Sequence, residues 1–152
     1  MEVENRQINN EEFFKLVKIE LEECGSVRFR IKGWSMQPLM RHSRDEVVLK
    51  PLNGYVPMVG DVCLFRCSGK HIMHRLIRYE GDTLVMRGDN NAYLLERCKL
   101  SDVVGIVTAV FRDGKEVSPI SKKWLLITII HRLYLHTRLT GAKVLRKLHL
   151  RK

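Results

Sequence analysis

The sequence predicts a mainly β protein: a small antiparallel β domain with an N-terminal helix and a basic amphipathic C-terminal helix. Three observations predict it. Between residues 26 and 117, apolar and polar residues alternate in short runs separated by Gly, Asp and Asn turns. The first 25 residues instead repeat their apolar positions at helical spacing. The last 33 residues carry nine basic side chains and no acid, against a net charge of +10 for the whole chain. The chain therefore divides into an N-terminal helix (1–25), a β domain (26–118) and a basic helical tail (119–152).

The elements follow in order. Asn9 or Asn10 caps the first helix, Glu11 and Glu12 occupy its first turn, and Phe13, Leu16, Val17 and Leu21 form its apolar stripe before Gly25 ends it. Strands are predicted at about 26–32, where Val27, Phe29 and Ile31 alternate with Arg28, Arg30 and Lys32, then at 46–50, 61–67, 71–79, 83–87 and 103–111. Asp113-Gly114 reads as a hairpin turn that returns through Lys115 to Val117. With 152 residues, 17.8 kDa and 45% hydrophobic residues, the chain suits one domain with a real core. Cys24, Cys63, Cys67 and Cys98 lack the paired spacing of a zinc site and read as reduced or buried thiols. The N-terminus has neither a basic region nor an apolar run and does not read as a secretory signal.

Four segments carry the chemistry: Gly33-Trp34-Ser35-Met36-Gln37-Pro38, Gly60-Asp61-Val62, His74-Arg75-Leu76-Ile77 and Gly88-Asp89-Asn90-Asn91. Taken singly they are a turn, a turn, a strand with an inward histidine and another turn. Their joint order and spacing is what chance rarely supplies. A serine hydroxyl needs a positioned base to become a nucleophile at neutral pH, and an imidazole both takes that proton and returns it to the leaving amine. Ser35 and His74 are thus a chemically sufficient pair. Lys70 is the rival base. On an extended segment it faces the same way as His74 but lies roughly 13 Å from it, so only one of them reaches Ser35. His74, between Ile72 and Leu76 on the apolar face, is the better placed. For the acid that orients the imidazole, Asp89 stands first by position, with Glu96 and Asp102 as alternatives and a dyad without an acid as the fourth arrangement.

This set resembles the S24/S26 serine peptidase superfamily of type I signal peptidases and self-cleaving SOS repressors. The resemblance runs from about Val27 to Val110, includes Ser101-Asp102-Val103-Val104-Gly105 near its end, and covers more than half of the chain. His74-Arg75 stands where bacterial members carry a lysine base, which is similar to the endoplasmic-reticulum and archaeal type. The resemblance implies a serine endopeptidase acting on extended peptides with small side chains just before the cut, bound as an added strand. It implies Ser35 as nucleophile, His74 as general base and Asp89 as orienting acid, with no metal or organic cofactor. Two departures bear on it. The second aspartate that endoplasmic-reticulum members carry after Gly-Asp-Asn-Asn is missing from Ala92-Tyr93-Leu94-Leu95-Glu96. Gly33 stands where bacterial members often place a hydroxyl residue, leaving the Ser35 N–H as the oxyanion donor.

The tail bears on location. Trp124 to Ile130 is interrupted by His131-Arg132, short of the ~20 apolar residues of a spanning helix, and a basic helix edged by Trp fits an in-plane position on an anionic membrane surface through residues 120–152. A helix docked on its own domain or on a partner is the second reading of the tail, and nucleic-acid binding the weakest. With no N-terminal anchor, the expected location is the cytoplasm, peripheral at the inner face of the membrane. The expected substrate is a leader-like peptide. The rival functions are a peptidase fold that binds without cutting, and a basic-tailed membrane or nucleic-acid adaptor.

Overall fold

The computed structural model describes residues 10–117 together with residues 129, 130, 133, 134 and 137. The expected tail helix otherwise lies outside the described residues, as do residues 1–9. The architecture is mainly β, with one helix packed on a single antiparallel sheet of eight strands.

Helix α1 spans Asn10–Cys24, with Glu11 and Glu12 in the first turn, where their charge opposes the helix dipole. Gly25, at φ +69°, ends it and donates its N–H to Leu21 O over 3.1 Å. Its buried face is Phe14, Val17 and Leu21, while Leu16 is 55% exposed. The expected stripe is thus rotated: the residue after Phe13 takes the core position, and Phe13 packs edge-on between Phe14 and Phe29.

The strands are β1 (Val27–Arg30), β2 (Asp45–Lys50), β3 (Val62–Cys67), β4 (Lys70–Glu80), β5 (Thr83–Arg87), β6 (Glu96–Lys99), β7 (Val103–Arg112) and β8 (Lys115–Val117). They lie in the order β1-β2-β7-β3-β4-β5-β6, with β8 hairpinned onto β7. All seven expected strands recur within a few residues, and the Asp113-Gly114 turn joins β7 to β8 as expected. Of these, β1 ends at Arg30, short of the expected 32. Strand β6 was not foreseen in the alternation.

Both faces of the central sheet are covered. Side chains alternate across a strand, so Val62 and Leu64 of β3 join Val47, Leu49, Val107, Val110 and α1 in one core, while Cys63 and Phe65 join Leu76, Leu84, Met86 and Cys98 in the other. All four cysteines are free thiols. Burial is the main cause that pushes Cys63 up to about 12 and Cys98 up to about 11, which keeps both protonated and unreactive at neutral pH. Among the described residues, no helix is long and apolar enough to cross a membrane.

One charged group lies within the first core. Asp45 is fully buried, accepts Arg112 Nε at 2.9 Å and Nη2 at 2.6 Å, and accepts the Arg41 N–H at 2.9 Å. Arg112 Nη2 also donates to Leu39 O over 3.0 Å, so this pair ties the segment after Ser35 to β2 and β7. Burial works against the Asp45 carboxylate, but the guanidinium and the Arg41 N–H outweigh it and hold its pKa below the usual carboxylate range. A depressed pKa in the folded state adds stability that is present above the unfolded value, about 3.9, and is lost as pH falls through the folded value. Asp45→Asn is expected to cost about 3 kcal/mol at neutral pH. It should also flatten the slope of stability against pH below about pH 4, as read by denaturant unfolding across that range.

Candidate active site

Ser35 sits in the turn that follows β1, and the turn is pinned from both ends. Met36, Leu39 and Met40 are buried in the first core, with Met40 N–H bonded to Met36 O at 3.0 Å. On the solvent side, Trp34 stacks on His42 with ring centroids 4.7 Å apart, and Gly33 donates its N–H to His42 Nδ1 over 2.8 Å. Gly33 is at φ +114°, a conformation that favours glycine. His42 was not singled out in the sequence, where it carries no motif. Between these anchors Ser35 is half-buried.

His74 projects from the middle of β4 into the second core, beside Phe65 at 6.4 Å between ring centroids. It shares a face with Ile72 and Leu76 as expected, since Ile72 packs against this same cluster and Leu76 belongs to it. Its Nδ1 is 2.9 Å from Glu96 Oε2, with only 4% and 12% of the two side chains exposed. Glu96 opens β6, which pairs with β5 and so returns this carboxylate to the ring of β4.

The other ring nitrogen faces the serine turn. A Cβ added at Gly88 would lie 2.9 Å from His74 Nε2, 2.7 Å from Ser35 O and 2.8 Å from Asn91 Nδ2. Only glycine leaves room for the imidazole and the serine backbone to converge there. The turn after Gly88 completes the contact, because Asn90 donates its N–H to Ser35 O over 2.7 Å and its Nδ2 to Trp34 O over 3.2 Å.

Asp89 does not meet the imidazole. Both of its oxygens are taken by Arg75, at 2.8 Å from Nε and 2.7 Å from Nη2, and Arg75 Nη1 reaches Gly60 O at 2.6 Å. This buried pair clamps the Gly60-Asp61 loop to the Gly88-Asp89 turn. The carboxylate expected to orient His74 is therefore a brace for the turn, and Glu96, one of the alternatives, has the orienting geometry. Asp102 caps the turn after β6 by accepting the Lys99 N–H at 2.8 Å. Lys70 is exposed at the far end of β4, opposite Cys67.

A groove of about 670 Å³ leads away from Ser35. Its lining comes from residues 29–33 together with Ser35 and Met36, from Leu64, from residues 71–73 of β4, and from Phe13 and Phe14 of α1. Strand β1 pairs only with β2, and β4 pairs with β5 only from Arg75 onward. Strand β1 and residues 70–74 of β4 thus each keep one edge that no strand among the described residues pairs. Among the described residues there is no cluster of three or more His, Cys, Asp or Glu suited to a metal ion.

The fold and this geometry define an antiparallel β domain in which a buried His74-Glu96 pair lies beside the turn that carries the half-buried Ser35, which lines a groove. Comparison with models of known protein families and with curated proteins returns no match to either.

Proposed function

We propose that the chain is a serine endopeptidase of the signal-peptidase-like, Ser-His type. What carries this reading is the convergence of the Ser35 main-chain carbonyl and His74 Nε2 on Gly88, which brings the serine turn to the imidazole, while Glu96 holds His74 Nδ1. In the proposed reaction His74 takes the Ser35 hydroxyl proton as Oγ attacks the peptide carbonyl, and returns it to the leaving amine. Glu96 keeps the proton of the neutral ring on Nδ1, so that Nε2 has its lone pair free, and stabilises the imidazolium that forms. The Ser35 N–H faces the charge that develops on the carbonyl oxygen. Water then releases the acyl group by the same route. The pair needs no metal or organic cofactor.

The substrate is an extended peptide lying as an added strand between the edges of β1 and β4, with a small residue before the cut. We place the protein in the cytoplasm, held by its basic tail at the inner face of the membrane, where it trims leader-like peptides. The rival reading, a peptidase fold that binds without cutting, draws on Gly33 in place of a hydroxyl residue.

Purified protein, Ser35→Ala and His74→Ala should be compared on a peptide library with Ala or Gly before the cut, with and without anionic vesicles. Cleavage by the unsubstituted protein alone is the expected result. Stimulation by vesicles would support the membrane role of the tail. Folded protein that cuts nothing would leave the binding module, and cleavage that survives Ser35→Ala would overturn the assignment of the nucleophile.

A further inference from the structure

The pairing of β1 with β2 runs on in main-chain bonds past the end of β1. Ile31 donates its N–H to Asp45 O over 3.0 Å, and Ser43 donates its N–H to Ile31 O over 2.8 Å. At the next step the chain meets a side chain instead. Gly33 donates its N–H to His42 Nδ1 over 2.8 Å, so an imidazole stands where the next main-chain acceptor of the ladder would be. Only an unprotonated Nδ1 accepts that bond, which places the ring proton of His42 on Nε2. The ring lies almost flat on Trp34, with planes at 23°. It is half-buried and Trp34 is 61% exposed, so protons reach the ring from water.

The other bonds on residues 33–35 come from groups that do not titrate. Asn90 gives its N–H to Ser35 O and its Nδ2 to Trp34 O, and Gln37 gives its N–H to Trp34 O over 3.2 Å. Among the described residues, the His42 bond alone depends on a proton. When the ring takes a second proton, its Nδ1–H faces the Gly33 N–H, donor against donor, and the bond is lost. The indole face attracts an imidazolium, but it does not restore that bond. The charged residues flanking the ring in the two paired segments are Lys32, Arg41 and Arg44. Arg44 is paired with Asp113, Asp45 is taken up by Arg112, and no carboxylate among the described residues pairs with His42. Gly33, at φ +114°, lies two residues before Ser35 and has no side chain to hold it, so loss of the bond frees the start of the serine turn.

Resting on the peptidase reading above, we infer that His42 is a positioning residue for Ser35: its unprotonated Nδ1 holds the Gly33 N–H, and with it the turn that aims the nucleophile, and protonation of the ring releases that turn. His42 touches no reacting atom and acts through Gly33. Reactivity is therefore lost in acid from two sources. His74 must be neutral to take the Ser35 proton, and His42 must be neutral to keep the hydroxyl where His74 can reach it.

Two readouts test this, and one of them is independent of catalysis. The amide protons of Gly33 and Asn90 and the ring nitrogens of His42 are followed by NMR from about pH 5 to pH 8, the range in which histidine titrates. His42 is expected as the Nε2–H tautomer at the upper end, with both amide shifts moving at the midpoint of the His42 ring. In His42→Asn, whose Oδ1 takes the place of Nδ1 but does not titrate, that step is absent. The second readout is the rate of Ser35 labelling by a fluorophosphonate over the same range. In the unsubstituted protein it is expected to fall in acid more steeply than one proton allows, and in His42→Asn with a slope of one. His42→Phe keeps the stack and loses the acceptor, and should label about tenfold more slowly at the upper end, the weight of one hydrogen bond. His42→Asn should recover most of that loss. Thermal unfolding confirms that each variant is folded. An Nδ1–H tautomer in the unsubstituted protein, or a Gly33 or Asn90 amide that does not follow His42, overturns the inference without recourse to any variant. So does a one-proton acid limb in the unsubstituted protein, or a full labelling rate in folded His42→Phe. The two readings fail separately. Amides that follow His42 in a protein never labelled at Ser35 would overturn the peptidase reading alone. Labelling at Ser35 with amides indifferent to His42 would overturn this inference alone.

Discussion

Glu96→Gln is expected to lower the kcat/KM of peptide hydrolysis by about 10³- to 10⁴-fold. The amide keeps the size of the side chain, but its NH₂ group can donate to Nδ1 and so favours the tautomer with the proton on Nε2, where it blocks acceptance of the Ser35 proton. Nor can it stabilise the imidazolium. Glu96 and His74 are both nearly inaccessible to water, so solvent does not substitute for the lost charge. Asp89→Asn is expected to act elsewhere. It leaves Arg75 buried beside Gly60 O without its carboxylate, which should cost about 3 kcal/mol of stability and reach the rate only through a looser turn. Steady-state kinetics and thermal unfolding of the two variants separate the roles. A large rate loss with Asp89→Asn at unchanged stability, and little with Glu96→Gln, would return the orienting role to Asp89.

Gly88→Ala is expected to abolish hydrolysis and to destabilise the fold together, by an amount in the range of about 1–3 kcal/mol for overpacking at a tight site. A methyl there lies 2.7 Å from Ser35 O, a backbone atom fixed by the Asn90 N–H, so relief requires the serine turn to move. The other two close atoms are the imidazole nitrogen itself and the Asn91 amide, and shifting either also disturbs the site. A reaction that depends on sub-ångström placement loses rate steeply when its groups separate. A Gly88→Ala protein with near-native activity would mean that Ser35 and His74 do not work in the arrangement that this glycine permits.

Much of the fold was legible because its elements announce themselves locally. The alternation of Val27, Phe29 and Ile31, the two-sided apolar run of β3 and the Asp113-Gly114 turn each specify a strand or hairpin without tertiary help. Strand β6 was not, since Glu96-Arg97-Cys98-Lys99 offers one inward apolar residue and pairs only because β5 presents an edge to it. The same strand explains the misplaced acid. Asp89 lies nearer than Glu96 in sequence to the other motifs, but strand pairing, which carries Glu96 back across β5 to His74, is a long-range property that spacing does not encode. Arg75 and Asp89 sit in adjacent motifs, and a buried arginine beside the histidine was a signal that the aspartate had another partner. The Asp45-Arg112 pair, joined across 67 residues, left no local trace. His42 and His71 read in sequence only as scattered histidines, because their meaning comes from what packs on them, Trp34 and Phe14.

The most direct test of the Ser35-His74 pair is labelling with a fluorophosphonate, which reacts with an activated serine and needs no knowledge of the substrate. The modified residue is read by peptide mass mapping, and the rate is followed in the unsubstituted protein, His74→Ala and Ser35→Ala. The expected result is a single adduct on Ser35, slowed by orders of magnitude in His74→Ala and absent in Ser35→Ala. Folded protein that stays unlabelled at Ser35, or an adduct there whose rate does not change when His74 is removed, would contradict the assignment.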